Sequence, residues 1–226
     1  MARRLDVVRG LGRNFQFATD SEEDHIQSFI RRGSFYELEE LELIGRFAGS
    51  PKRILDVGAN IGNHSVYFAH RFDPDLLVPV EPNPLVVGLL RENLQLNWHR
   101  SMDLRLVGAG LSDRRGSARM SIASNANLGG ARLDQTDEGE IPVYRADGVF
   151  PEEGFDLVKI DVEGLELAVV AGMAGILRRS TATVFLEVVI PHIDDVIAQM
   201  KSLGYRYRTS YRRYGRCLNL IFQKVT

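Results

Sequence analysis

Apolar residues along this chain follow two alternating rhythms. Short, mostly apolar runs at 53–57, 76–80, 104–107, 155–160 and 183–189 have the length and composition of strands buried on both faces, as in a parallel sheet. Between them the apolar positions recur at helical spacing. Leu38, Leu41, Ile44 and Phe47 mark one helix over 36–47, and Val66, Tyr67 and Ala69 another from Asn63. Leu85, Leu89, Leu90 and Leu94 mark a third, opening at Pro84 after Asn83 as cap and running to about residue 97. Further helices are predicted over 165–177 and 193–203. Strands alternating with helices predict a doubly wound α/β fold with a mostly parallel sheet. After Gly204 two strands joined by a hairpin close the sheet, the last one antiparallel. Residues 117–122 alternate like a strand, and 141–145 are expected to pair with them. The polar stretches between, 125–130 and 134–140, read as a long substrate-facing loop. Residues 21–32 read as a helix with acids in its first turn. Residues 1–20, basic and then polar, read as a loosely held arm. The organisation expected is an N-terminal arm and helix over 1–34, then one domain over 35–226.

The stretch from Ile54 to Ala69 organises this pattern: strand, the turn Gly58-Ala-Asn-Ile-Gly62, then a helix opening at Asn63. That is the first half of a nucleotide-binding βαβ unit. The turn is not the dinucleotide fingerprint, because Asn60 stands where the middle glycine would be. Glu81 follows Gly62 by about 20 residues at the tip of the second strand, where such folds hold ribose hydroxyls. A ribose-containing ligand is expected, and a pyrophosphate less so.

Composition narrows the setting. A net charge of −2 gives no global drive towards nucleic acid or anionic membrane. The single cysteine, Cys217, allows no internal disulfide and points to a reducing, cytoplasmic setting. No apolar run approaches the about 18 residues of a membrane span, and no apolar segment of a secretory signal follows the first residues. No ligand spacing demands a metal.

Three words carry a family resemblance. Asp56-Val-Gly-Ala-Asn-Ile-Gly-Asn63, Glu81-Pro-Asn-Pro84 and Lys159-Ile-Asp-Val-Glu-Gly-Leu-Glu166 together resemble the motifs of FkbM-type S-adenosylmethionine-dependent methyltransferases, over roughly 35 to 187. The resemblance implies a class I methyltransferase (Rossmann-like) fold that binds S-adenosylmethionine and releases S-adenosylhomocysteine. It places Asp56 near the methionine part, Gly58 and Gly62 in the turn, and Asn60 and Asn63 at the cofactor carboxylate. Glu81, with Pro82 and Asn83, falls at the ribose. Gly110, Leu111 and Ser112 follow the third predicted strand, where either an adenine-lining loop or a plain glycine turn is expected. Glu37 lies in a Phe-Tyr-Glu word similar to the family's. It is expected either to reach the cofactor amino group or to complement a helix dipole. Asp147 departs from the family's Thr-Leu-Asp word, here Arg145-Ala-Asp147, and reads as a turn acid.

Asp56, Glu81, Asp161 and Glu163 fall at the carboxyl ends of predicted strands and so on one rim. A carboxylate rim stabilises a sulfonium cation and repels the phosphates of a dinucleotide. A hydroxyl acceptor needs a base, and the candidates are Asp161, Glu163 and His192, the last equally readable as the start of the following helix. Glu187, an acid inside an apolar run, is expected at the cleft or on a basic partner. His64 reads as a helix-face residue. The acceptor class implied by the resemblance is a small-molecule or sugar hydroxyl. Segment 205–216, with five arginines and four tyrosines, leaves open an RNA-modifying enzyme, a dimer contact or a solvated hairpin. A cofactor-binding module without catalysis also stays open.

Overall fold

A computed structural model describes residues 3–121, 132–136, 138–213 and 215–225. The predicted polar loop 125–130 lies outside these residues. The main sheet is built from β3 (Arg53–Val57), β4 (Leu76–Val80), β9 (Leu157–Ile160), β10 (Thr183–Val189), β11 (Tyr205–Tyr211) and β12 (Cys217–Lys224), in the spatial order β11-β12-β10-β9-β3-β4. The first four are parallel neighbours where they pair, and β12 runs antiparallel to both β10 and β11.

Period-two alternation splits each parallel strand between two cores. Leu55, Val57, Val78, Val80, Val158, Ile160, Val184, Leu186 and Val188 face one side. There they meet α6 (Glu166–Gly172), α7 (Ala174–Arg179) and α8 (Ile193–Ser202). Ile54, Leu77, Leu157 and Phe185 face the other, covered by α2 (Leu38–Ala48), α3 (Asn63–Phe72) and α4 (Pro84–Leu96). The strands read as continuous apolar runs because both faces are buried. The helix predicted over 165–177 is two helices broken at Met173. The second is capped by Asp147, whose carboxylate accepts from the Gly175 and Ile176 N–H groups. Asp147, within the short helix α5 (Ala146–Val149), is thus a structural acid, in a helix rather than the turn the sequence suggested.

Three expectations are corrected. Residues 4–19, expected within an arm, form a hairpin, β1 (Arg4–Gly10) with β2 (Arg13–Thr19). Val8, Phe15 and Phe17 point into the second core, where both phenylalanines meet Phe35 edge-on. The alternation was masked because Asp6 occupies an inward position, bonded to Thr19 Oγ1 at 2.7 Å. Asn93 on α4 and Asn97 at its C-cap then stitch the hairpin down, accepting from the N–H groups of Ala18 (2.6 Å) and Gln16 (3.1 Å). Second, 104–107 is not a strand. Asp103 turns the chain by accepting from the Arg105 N–H, Val107 N–H donates to Leu104 O, and only isolated bridges at Met102 and Val107 touch the sheet. Third, Asp134 belongs not to a loop but to β7 (Arg132–Gln135). This strand lies in a small second sheet with β5 (Gly110–Leu111), β6 (Gly116–Ser121) and β8 (Ile141–Tyr144). The predicted pairing of 117–122 with 141–145 is present as β6 against β8. The first helix, α1, starts later than predicted, at His25–Arg31 with Asp24 as its cap. Among the described residues no helix is long and apolar enough to cross a membrane.

Phe17 tests the hairpin directly. Truncating a fully buried phenylalanine costs about 3–5 kcal/mol. Phe17→Ala should therefore lower the chemical-denaturation midpoint strongly, where a loosely held arm would leave it unmoved.

Candidate active site

The carboxyl ends of β3, β4, β9 and β10 open onto one cavity of about 630 Å³. At the tip of β3 the N–H groups of Gly58 and Ala59 both donate to the Val80 carbonyl, at 2.9 and 3.0 Å. Gly58 has φ +82°, and a Cβ there would run into the Asp161 carbonyl oxygen. The close approach of two strand tips, not the ligand alone, therefore demands glycine. Asn60, with φ 48°, is held by its own Oδ1, which accepts from the Ile61 N–H at 2.8 Å. Its N–H donates to Glu81 Oε2 at 2.8 Å, and Asn83 N–H donates to Glu81 Oε1 at 2.8 Å. Each Glu81 oxygen thus has one fixed donor. A carboxylate has about four acceptor positions, so capacity remains for ligand hydroxyls.

Beneath the rim lies Lys159, fully buried on β9. Its Nζ donates to the Gly58 carbonyl at 2.7 Å and stands 3.5 Å from both Asp56 Oδ1 and Asp161 Oδ2. Asp56 also accepts from Ser65 Oγ. Burial works against the ammonium charge, but Asp161, Asp56, Glu37 and Glu187 outweigh it and raise its proton affinity.

Around the mouth the acids crowd one another. Burial, then the charges of Asp161 and Glu40, push Glu37 up to about 7. Burial pushes Glu81 up to about 7 against the two N–H donors. Burial, then Asp161, Glu37 and Glu163, push Glu187 up to about 9. Glu37 itself is in a left-handed conformation, φ 56°, at the N-cap of α2. His64 Nε2 stands 3.4 Å from its Oε2, and burial keeps that imidazole's proton affinity well below the usual range. The remaining wall is apolar at Pro82, Leu111, Met120 and Leu133, and aromatic where His25 and Tyr36 meet at 5.6 Å between ring centres.

A methyltransferase FkbM domain model matches residues 56–207. The chain belongs to the FkbM methyltransferase family. Methyltransferase sdnD of Sordaria araneosa is 28% identical over 156 residues, covering 53% of this chain and 60% of that protein. Two solved structures share the fold. Precorrin-6y C5,15-methyltransferase of Geobacter metallireducens has a TM-score of 0.55 at 13% identity, over 92% of this chain and 93% of that one. Methyltransferase FkbM of Methylobacillus flagellatus has 0.51 at 15% identity, over 76% and 44%. The fold is thus the class I methyltransferase fold that the sequence words implied.

Within this FkbM domain the predicted residues separate into two groups. Glu37, Gly58, Asn60, Glu81, Pro82 and Asn83 line the cavity, as do Gly110, Leu111, Asp161 and Glu163. Glu187 also lines it, at the cleft as expected. Five others stand behind the lining. Asp56 is buried under it on Lys159, and Gly62 (φ 91°) packs towards Leu90. The Asn63 amide is spent on Tyr36, accepting from its N–H and donating to its carbonyl at 2.9 Å each. Ser112 Oγ donates to Asp113 Oδ1 at 3.2 Å. His192 lies against Glu166, its Nδ1 3.2 Å from Oε2. Sequence reasoning missed His25, Ile26, Met120 and Leu133 as lining residues, because no local pattern carries a contact made across the fold. Tyr36 was within reach, since it precedes Glu37 in the quoted word. Among the described residues no cluster of three or more His, Cys, Asp or Glu is placed to hold a metal ion.

The crowded acids predict an inverted pH dependence. Carboxyls at 4.5 in the unfolded chain rise to about 7 for Glu37 and Glu81 and about 9 for Glu187. Between those values the folded state holds protons that the unfolded state has released, so stability falls as pH rises. Thermal unfolding without ligand should show the midpoint declining from about pH 5 to about pH 9, by the linkage relation. Glu187→Gln should flatten the alkaline part of that decline.

Proposed function

We propose that this chain transfers a methyl group from S-adenosylmethionine to a hydroxyl of a small-molecule or sugar acceptor. The observation that carries the reading is Glu81, fixed by two backbone N–H donors in the wall of a cavity that Glu37, Asp161, Glu163 and Glu187 also line. Bound S-adenosylmethionine would supply an electrophilic methyl on a cationic sulfur. The residues present fit such a ligand. Glu81 has acceptor capacity left for ribose hydroxyls. Pro82, Leu111, Met120 and Leu133 offer an apolar slot for the adenine plane. Gly58 leaves the β3 tip open, and Glu37, Asp161 and Glu187 offer negative charge for the sulfonium and the amino group. A dinucleotide would meet the same acids with its phosphates.

Lys159 orders this end. Held between Asp56, Asp161 and the Gly58 carbonyl, it fixes the Asp161 carboxylate and offsets part of the repulsion. Asp161 and Glu163 line the cavity and stand to take the proton that an acceptor hydroxyl loses. Positioning the acceptor in line with the methyl supplies much of the remaining rate.

Calorimetric titration with S-adenosylmethionine and S-adenosylhomocysteine tests the reading, repeated on Glu81→Ala. Two lost hydrogen bonds to a carboxylate, at about 1.5 kcal/mol each, correspond to roughly 100-fold weaker binding. Wild-type protein that binds neither ligand would sink the proposal. Binding without turnover on any hydroxyl acceptor would leave a cofactor-binding module instead.

A further inference from the structure

The turn that carries Glu163 into the cavity is strained. Glu163 (φ 48°) and Gly164 (φ 97°) are consecutive left-handed residues, and such a non-glycine conformation persists only where the surroundings over-determine it. We infer that His192 is a positioning residue: through Glu166 it holds the 161–165 turn, and with it Glu163, in place against the cavity. The purpose of this device rests on the methyltransferase reading, but its test does not.

The contacts form a closed path. Glu166 is almost fully buried at the start of α6. Its Oε1 accepts from the Gly164 N–H at 2.7 Å, at the centre of the strained turn. Its Oε2 lies 3.2 Å from His192 Nδ1. An ionised carboxylate only accepts, so Nδ1 carries the hydrogen and Nε2 points away. A buried carboxylate with one partner would be poorly compensated, and the imidazole supplies the second. His192 is itself anchored in the turn Ile190–His192 that follows β10. That turn touches the rim a second time. Ile190 N–H donates to the Arg216 carbonyl at 3.0 Å, and Arg216 Nη2 stands 3.8 Å from Glu163 Oε1. Three loops, after β9, after β10 and before β12, are therefore tied into one wall. His192 contributes to it without lining the cavity, so it is not a catalytic residue here.

Amide hydrogen exchange on the full chain tests this, comparing wild type, His192→Ala and His192→Asn. Losing a hydrogen bond to a charged group should speed exchange of peptides spanning 161–166 by about tenfold or more in His192→Ala. Peptides from β3 and β4 should be unchanged. In His192→Asn the side-chain amide takes the place of Nδ1 and should restore protection. S-adenosylmethionine affinity should follow the same order, several-fold weaker in His192→Ala and recovered in His192→Asn. Unchanged exchange at 161–166 in His192→Ala would overturn the inference. So would equal acceleration across the whole sheet, or no recovery in His192→Asn. If wild type binds no S-adenosylmethionine, the methyltransferase reading fails, while the exchange result still decides the role of His192.

Discussion

One buried ammonium sets the geometry of the cavity. Lys159 sits inside an otherwise apolar strand, where an uncompensated charge would be prohibitively costly. It is tolerated because three oxygens surround it: the Gly58 carbonyl, Asp56 and Asp161. The same contacts bind the tip of β3 to the tip of β9. The Gly58 turn can approach Asp161 only without a side chain, and Lys159 closes the gap electrostatically. The opening of the cavity, the placement of Asp161 and the direction in which the chain leaves β3 all follow from that packing.

The arrangement has a consequence for the acids above it. Burial first, and then a mutual repulsion that one cation cannot offset, makes Glu37, Glu81 and Glu187 bind protons more tightly than carboxyls in water do. Left alone, such a rim works against the fold. A cationic ligand reverses the balance, because the repulsion among the acids becomes attraction to it. On the proposed reading, the site favours its occupied state at the expense of the empty protein, as expected where function overrides stability.

Legibility in the sequence followed the range of the interactions. β3, β4 and β10 could be bounded to the residue because burial on both faces leaves a mostly apolar run. Asn83 and Pro84 announced α4 because capping is local. Glu81 was found through spacing, since the length of a βα unit fixes how far the second strand tip lies from the glycine turn. The hairpin was missed because Asp6 breaks the inward row, and its partner, Thr19, lies on the other strand. Residues 104–107 looked like a strand by composition, but the Asp103 turn prevents a ladder. Asn63 is the instructive case at the site. Its position in the motif suggested a ligand contact, whereas the amide oxygen and nitrogen each make a bond to the Tyr36 backbone.

That engagement shows how the N-terminal part joins the cavity. Asn63 opens α3 directly after the glycine turn and clamps Tyr36 beside it. Tyr36 in turn meets His25 and Phe29 on α1 at 5.6 and 5.4 Å between ring centres. Phe35 turns the other way, into Phe15, Phe17 and Tyr67. Neighbouring residues thus face opposite ways, one towards the cavity wall and one towards the hairpin's anchor in the core. The aromatic wall formed by His25 and Tyr36 is therefore held from two sides, by the motif turn through Asn63 and by the hairpin through Phe35. Residues 3–36 complete the cavity as much as they cover the sheet.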